Sequence, residues 1–262
     1  ASAAAEGLDE LYKLGSDFDP HIRPLNSSTL SGNFLLENVS FKYIPNGPPA
    51  LQIRNLKIKS GERVGIIGPI GSGKSTFLKV IAGLYRPTDG RVLIDGLDVA
   101  HISRESLSRK VSYLQQDHRL FQGTLRENLL IGLPDPGDDV LMNFMTKTGL
   151  LQLVSSHPLG LDLPIFEGGK GLSGGQKQRF SIASTLVNNP KIIFLDEPTT
   201  GLDPQARRNV WDLVEKIRAK GHTIVLTTHY MEEADCLGDR IGIMSHGKMM
   251  CCGSSEYLKN KY

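Results

Sequence analysis

Cysteine is scarce in this chain: Cys236, Cys251 and Cys252 are the three among 262 residues, and all lie near the C-terminal end. So few thiols exclude a disulfide framework and point to a reducing compartment. A Cys251–Cys252 bond would be strained, so two ordinary thiols are expected. Charge of one sign is lacking too. Thirty Lys and Arg against 28 Asp and Glu leave a net +2, which makes no electrostatic case for nucleic acid or for an anionic membrane surface. Long apolar runs are absent. The most apolar stretches, Val64–Ile67 and Ile192–Leu195, fall far short of the ~18–20 residues a spanning helix needs. Neither a nucleic-acid partner nor direct membrane insertion is therefore expected. Ala1–Lys13 lacks the basic start and apolar centre of a secretory signal, and no internal repeat is present. Hydrophobic residues at 39% and charged residues at 22% suit a globular protein with a real core.

The N-terminal segment stands apart. Gly7-Leu8-Asp9-Glu10-Leu11-Tyr12-Lys13 resembles the C-terminal tail of green fluorescent protein, with Leu8 where that family has Met, and Leu14-Gly15-Ser16 reads as a cloning linker. Residues 1–16 are read as a cloning scar, the alternative being a natural polar leader. Residues 17–33, rich in Asp, Pro, Ser and Asn, read as a linker, and residues 34–262 as the functional domain.

Within that domain, Val39, Phe41 and Tyr43 alternate with polar neighbours, and so do Leu51, Ile53, Leu56 and Ile58 further on. This predicts an antiparallel strand pair. Val64–Ile67 is a continuous apolar run, as in a strand buried on both faces, and it leads through a glycine-rich loop into a helical pattern over Thr76–Leu84. Later segments alternate: strand at Val111–Leu114, helical patterns over 124–160 broken at Gly132–Gly137, helix at Gln176–Val187, strand at Lys191–Leu195, helix at Pro204–Lys220, strand at Thr223–Thr227. The expected class is α/β: a mainly parallel sheet, an N-terminal antiparallel β portion and an inserted helical subdomain at about 117–180.

The glycine-rich loop carries the strongest chemical signal. Gly68-Pro69-Ile70-Gly71-Ser72-Gly73-Lys74-Ser75 fits G-x-x-x-x-G-K-[ST] between a predicted strand and a predicted helix. Glycines let successive N–H groups turn inward on phosphate oxygens, and the helix dipole adds to that field. Lys74 is placed to neutralise β- and γ-phosphates, and the Ser75 hydroxyl to meet Mg²⁺. A second element is Ile192–Glu197, a buried apolar strand ending in two carboxylates. Asp196 is placed to hold Mg²⁺, and Glu197, one residue on, to polarise an attacking water. Taken alone, the pair could be an exposed acidic turn. A third is Leu172-Ser173-Gly174-Gly175-Gln176, two glycines opening a helix. It reads either as a second phosphate nest, serving a nucleotide held by another subunit, or as a plain helix cap at Ser173.

Together these segments resemble the nucleotide-binding domain of an ATP-binding cassette (ABC) transporter, over residues 34–262. Gly68–Ser75 matches that family's Walker A, Ile192–Glu197 its Walker B, and Leu172–Gln176 its signature pentapeptide without a mismatch. The resemblance implies a P-loop NTPase fold and ATP hydrolysis with Mg²⁺. It implies nucleotide binding by Tyr43 (stacked on adenine), Gly68, Gly71, Ser72, Gly73, Lys74, Ser75, Thr76 and Gln116, and by Ser173, Gly174, Gly175 and Gln176 of a partner. It implies Mg²⁺ at Ser75, Gln116 and Asp196, and catalysis by Lys74, Glu197 and His229, the last contacting γ-phosphate. Gly201-Leu202-Asp203 matches the D-loop. Plainer roles stay open: Tyr43 as a strand aromatic, Gln116 as a surface polar residue, His229 as a cap before a helix. The implied partners are a second nucleotide-binding domain, in an ATP-dependent head-to-tail dimer, and transmembrane domains, with the module at the cytoplasmic face of a membrane.

The resemblance changes along the chain. Up to about residue 180, Val39-Ser40-Phe41-Lys42-Tyr43 and Leu120-Phe121-Gln122-Gly123-Thr124-Leu125 resemble type I secretion exporters. From 181 to 262, Pro198 after Asp196-Glu197 and Thr228-His229-Tyr230-Met231-Glu232-Glu233-Ala234-Asp235 resemble drug- and lipid-exporting cassettes. An engineered chimera, binding ATP but uncoupled from transport, is therefore an alternative to a natural cassette. A non-transport ABC ATPase of repair or translation is another. Against it stand the absence of a long coiled-coil insertion between the Walker motifs and of a second cassette.

Overall fold

The structure is a computed structural model that describes residues 30–116, 119–218 and 220–261. The expected scar at 1–16 and residues 17–29 of the expected linker lie outside the described residues. The end of that linker is bound to the domain. Leu30 is buried, and Ser31, Gly32 and Asn33 all donate to the Asp95 carboxylate.

Strands β1 (Phe34–Phe41) and β2 (Leu51–Ile58) pair antiparallel, Phe34 opposite Ile58 and Phe41 opposite Leu51, as the alternation predicts. Their inward residues change phase midway, from Phe34 and Leu36 to Val39, and from Leu51 and Ile53 to Leu56 and Ile58. The change falls at Asn38, whose backbone is left-handed at φ 49°. It is a bulge against β4 (Asp89–Ile94).

The parallel part follows from burial. Strands β3 (Arg63–Ile67), β9 (Ile192–Asp196) and β10 (Thr223–Thr228) are buried almost throughout, as strands covered on both faces must be. With β1, β2, β4, β5 (Leu97–Asp98), β6 (Val111–Leu114), β11 (Arg240–Ser245) and β12 (Lys248–Gly253), they make a ten-stranded sheet ordered β5-β4-β1-β2-β12-β11-β3-β10-β9-β6. Strands β6, β9, β10, β3 and β11 run parallel. A second, two-stranded sheet joins β7 (Gly123–Thr124) to β8 (Pro164–Ile165).

Helix α1 (Lys74–Ile81) follows β3, starting two residues before the apolar pattern indicates and ending before Gly83. Helix α2 (Arg104–Lys110) is capped by the Ser103 side chain, which accepts from the Ser106 N–H. Helices α3 (Leu125–Leu129), α4 (Asp138–Lys147) and α5 (Leu151–Ser155) fill the inserted helical region. They share an apolar cluster of Leu125, Leu129, Leu141, Met145, Val154 and Phe180. Phe180 belongs to α6 (Gly174–Val187), whose Ile182 and Leu186 pack in the cluster under the parallel sheet. One helix thus spans both cores and fixes where its N-terminus stands. Helices α7 (Pro204–Arg218), α8 (Met231–Leu237) and α9 (Ser255–Lys261) complete the chain. Among the described residues no helix is long and apolar enough to cross a membrane.

Candidate nucleotide site

The loop between β3 and α1 is built on close approach. A Cβ on Gly68 would lie 2.3 Å from the Met244 carbonyl oxygen and 2.7 Å from Ser72 Oγ. At Gly73 the backbone turns through φ 94°, a conformation open to glycine at little cost, and a Cβ there would lie 3.0 Å from the Ala50 carbonyl oxygen. Ser72 is pinned on both sides: its N–H donates to Pro69 O at 3.1 Å, and its carbonyl accepts from Gly247 N–H at 2.9 Å. Its buried Oγ has no hydrogen-bond partner among the described residues. Lys74, 4% exposed, folds back over the loop and donates to Gly68 O at 2.9 Å and Pro69 O at 3.2 Å. The result is a curled loop at a helix N-terminus with its cation in place, the arrangement that receives phosphate.

The carboxyl ends of the neighbouring strands meet this loop. Asp196, 2% exposed at the end of β9, accepts three hydroxyl bonds. Oδ1 takes Ser75 at 3.0 Å and Thr227 at 2.6 Å, and Oδ2 takes Tyr113 at 2.9 Å. Burial pushes the Tyr113 phenol well above its ordinary value, and the adjacent Asp196 charge adds to the effect. Tyr113 therefore stays a donor to that carboxylate. The paired Ser75 and Asp196 oxygens are the hard donors that Mg²⁺ takes alongside water and phosphate. The donor set therefore fits that ion.

Glu197 stands one residue on, with φ 47°. Its N–H is held by the Thr227 carbonyl at 3.1 Å and the Thr227 hydroxyl at 3.0 Å. This turn carries the carboxylate, 9% exposed, away from Asp196 and over the loop. Lys74 Nζ lies 3.5 Å from Oε1, while Oε2 meets Gln116 Nε2 at 3.3 Å, Thr200 Oγ1 at 3.0 Å and His229 Nδ1 at 3.3 Å. Four side chains thus converge on one carboxylate.

An open cleft of about 710 Å³ joins these groups to Tyr43, Gly71, Gly73 and Thr76. Tyr43 is 59% exposed, packs edge-on against Phe41 and Tyr85, and shares a 2.8 Å hydrogen bond with Thr76 Oγ1. The structure places Gln116 and His229 together at Glu197. Gln116 is exposed, yet it donates to Glu197. His229 caps no helix, because α8 has Tyr230 at its cap position without a side-chain bond.

Ser173, Gly174, Gly175 and Gln176 stand elsewhere and do not line this cleft. Ser173 Oγ accepts from Gln176 N–H at 3.2 Å, and Gln176 Oε1 accepts from Ser173 N–H at 2.8 Å. This reciprocal cap leaves an exposed helix start. The residues sequence reasoning missed are Thr227, Tyr113 and Thr200.

A family model described as ABC transporter matches residues 51–200. The leukotoxin translocation ATP-binding protein LktB of a Pasteurella haemolytica-like species (strain 5943B) is 35% identical over 248 residues, covering 94% of this chain and 35% of that protein. The alpha-hemolysin translocation ATP-binding protein HlyB of Escherichia coli O6:H1 is 37% identical over 229 residues, 87% of this chain and 32% of that protein. The chain therefore spans about a third of the length of these curated relatives. Among solved structures, that of a bacterial Atm1-family ABC exporter with ATP bound superposes with a TM-score of 0.87 at 28% identity, over 98% of this chain and 44% of the other. The α/β expectation holds, and the fold is that of an ABC-type P-loop ATPase. The LktB match extends across the suspected join near residue 180 and lends no support to a chimera. None of these three matches supports the green fluorescent protein tail.

Proposed function

Because the chain belongs to the ABC transporter family, we propose that residues 34–262 are the Mg²⁺-dependent ATP-hydrolysing module of an exporter. They would convert ATP and water to ADP and phosphate. The observation that carries this reading is the convergence on Glu197 of Lys74, Gln116, Thr200 and His229, beside the Ser75–Asp196 pair. The incoming triphosphate takes Lys74 as its counter-ion, which frees the Glu197 carboxylate to orient a water and accept its proton. His229 and Gln116, already in contact with Glu197, are placed to bond γ-phosphate and the water. Mg²⁺, held by Ser75 and Asp196 with Gln116 adjacent, would offset the charge that develops on β- and γ-phosphate oxygens.

The active species is read as a head-to-tail dimer. Its support is the exposed helix start at Ser173–Gln176, remote from the chain's own cleft. A two-fold contact presents each such start to the partner's nucleotide. The attachment to transmembrane domains at a cytoplasmic membrane face rests on the printed names of the relatives and on exposed aromatics in the helical region, Phe121 at 63% and Phe166 at 60%. Phosphate release by the purified chain tests the reaction. Turnover that needs Mg²⁺ and stops in Glu197→Gln is expected. Tight ATP binding with no turnover in the wild type would mean a nucleotide-binding scaffold instead.

A further inference from the structure

Arg207 and Tyr230 form a stack behind His229. The Arg207 guanidinium carbon lies 4.0 Å from the centre of the Tyr230 ring. The Tyr230 ring centre lies 4.0 Å from that of His229, with the planes tilted by 38°. His229 Nδ1 then stands 3.3 Å from Glu197 Oε2. Arg207 Nε is buried without a hydrogen-bond partner among the described residues, so the ring is the group this end of the guanidinium engages. Cations over a tyrosine face are attracted by its quadrupole, more so where water is excluded.

Arg207 and Tyr230 are both held through their backbone N–H groups. Arg207 sits in the first turn of α7, its N–H donating to Asp203 O at 3.0 Å. The Asp203 carboxylate caps that turn through the N–H groups of Gln205 and Ala206, at 3.0 and 2.9 Å. Tyr230 is held at the end of β10 by its N–H, which donates to Thr228 Oγ1 at 3.0 Å. The Gly201–Asp203 loop is thus joined to His229 through Arg207 and the Tyr230 ring.

We propose that Arg207 and Tyr230 are positioning residues for hydrolysis, linking the Gly201–Asp203 loop to His229. The proposal rests on the reading of His229 as a γ-phosphate contact. Neither residue lines the nucleotide cleft, so their loss acts on turnover and leaves binding intact.

Steady-state ATPase assays on the whole chain, at one fixed protein concentration, test this. Arg207→Ala and Tyr230→Ala should each lower kcat by about 2- to 30-fold, the range of a lost cation–ring contact, with KM for ATP within about twofold of wild type. The double variant should be no slower than the slower single variant, because the two act through one contact. Arg207→Lys and Tyr230→Phe, which keep the charge and the ring, should each recover most of the rate lost in the alanine variant. In a His229→Ala background, Arg207→Ala should change nothing further. Retained ATP affinity by titration calorimetry separates these effects from unfolding. If His229→Ala lowers kcat while Arg207→Ala leaves it unchanged, or lowers it by the same factor in the His229→Ala background, the coupling is refuted alone. If His229→Ala itself keeps the wild-type kcat, the underlying reading of His229 fails.

Discussion

Lys74 and Glu197 face each other across the nucleotide cleft, Nζ 3.5 Å from Oε1, and both side chains are largely shielded from water. The cation proposed for phosphate and the carboxylate proposed for water thus hold one another in place. On the proposed function, an incoming triphosphate would replace this carboxylate as the partner of Lys74 and release Glu197.

Glu197→Gln removes the competing anion and the proton acceptor together. ATP should bind at least as tightly as in the wild type, while turnover falls by about 10²–10⁴, equal to roughly 2.7–5.5 kcal/mol of barrier. Calorimetry and phosphate release on the same preparation check both halves. A glutamine variant hydrolysing at the wild-type rate would remove Glu197 from the mechanism.

Lys74→Ala should do the reverse and strike binding first. Charge-assisted hydrogen bonds contribute about 1.5–3 kcal/mol each, so ATP affinity should fall at least ~10-fold. Unchanged affinity in a folded variant would contradict the placement of phosphate at this loop.

Much of this site was legible because its parts are contiguous. The loop at 68–75 and the strand at 192–197 each hold strand, turn and functional side chain in one short run, where period and glycine content are local signals. Tyr113 and Thr227 were not legible. Each reaches Asp196 by strand neighbourhood, β6 and β10 flanking β9, and pairing order is not written in any single segment. Strands β4, β11 and β12 likewise went unread. Their exposure follows no clean two-residue period, with β12 at most half-buried and β11 broken by a register shift. The attachment of the end of the expected linker was not legible either, because what binds Ser31–Asn33 is Asp95, more than 60 residues away.

That tie has a pH signature. Burial alone would raise the Asp95 pKa, but hydrogen bonds from Ser31, Asn33 and the Gly32 and Asn33 N–H groups outweigh it and lower it from 3.8 to about 2. A depressed carboxylate pKa contributes stability that is complete above its unfolded value and fades as pH falls through the folded value. Asp95→Asn should therefore cost about 1–2 kcal/mol at neutral pH. That difference should shrink between about pH 4 and pH 2. Urea unfolding of both proteins at pH 7, 4 and 2.5 checks this; a difference that stays constant to pH 2.5 would refute the carboxylate's role.

The most direct measurement of the account is ATP hydrolysis in a mixture of two inactive variants. Ser173→Arg spoils the exposed helix start, and Lys74→Ala spoils the phosphate loop. Each variant alone places one defect in both sites of a head-to-tail dimer. In a mixed dimer, both defects fall in one site and the other is sound. Equal amounts should recover up to about a quarter of the wild-type rate, since half of the dimers are mixed and each keeps one site of two. A mixture no more active than its components, with a wild-type rate strictly proportional to protein concentration, would show that each chain hydrolyses ATP alone and that Ser173–Gln176 is only a helix cap.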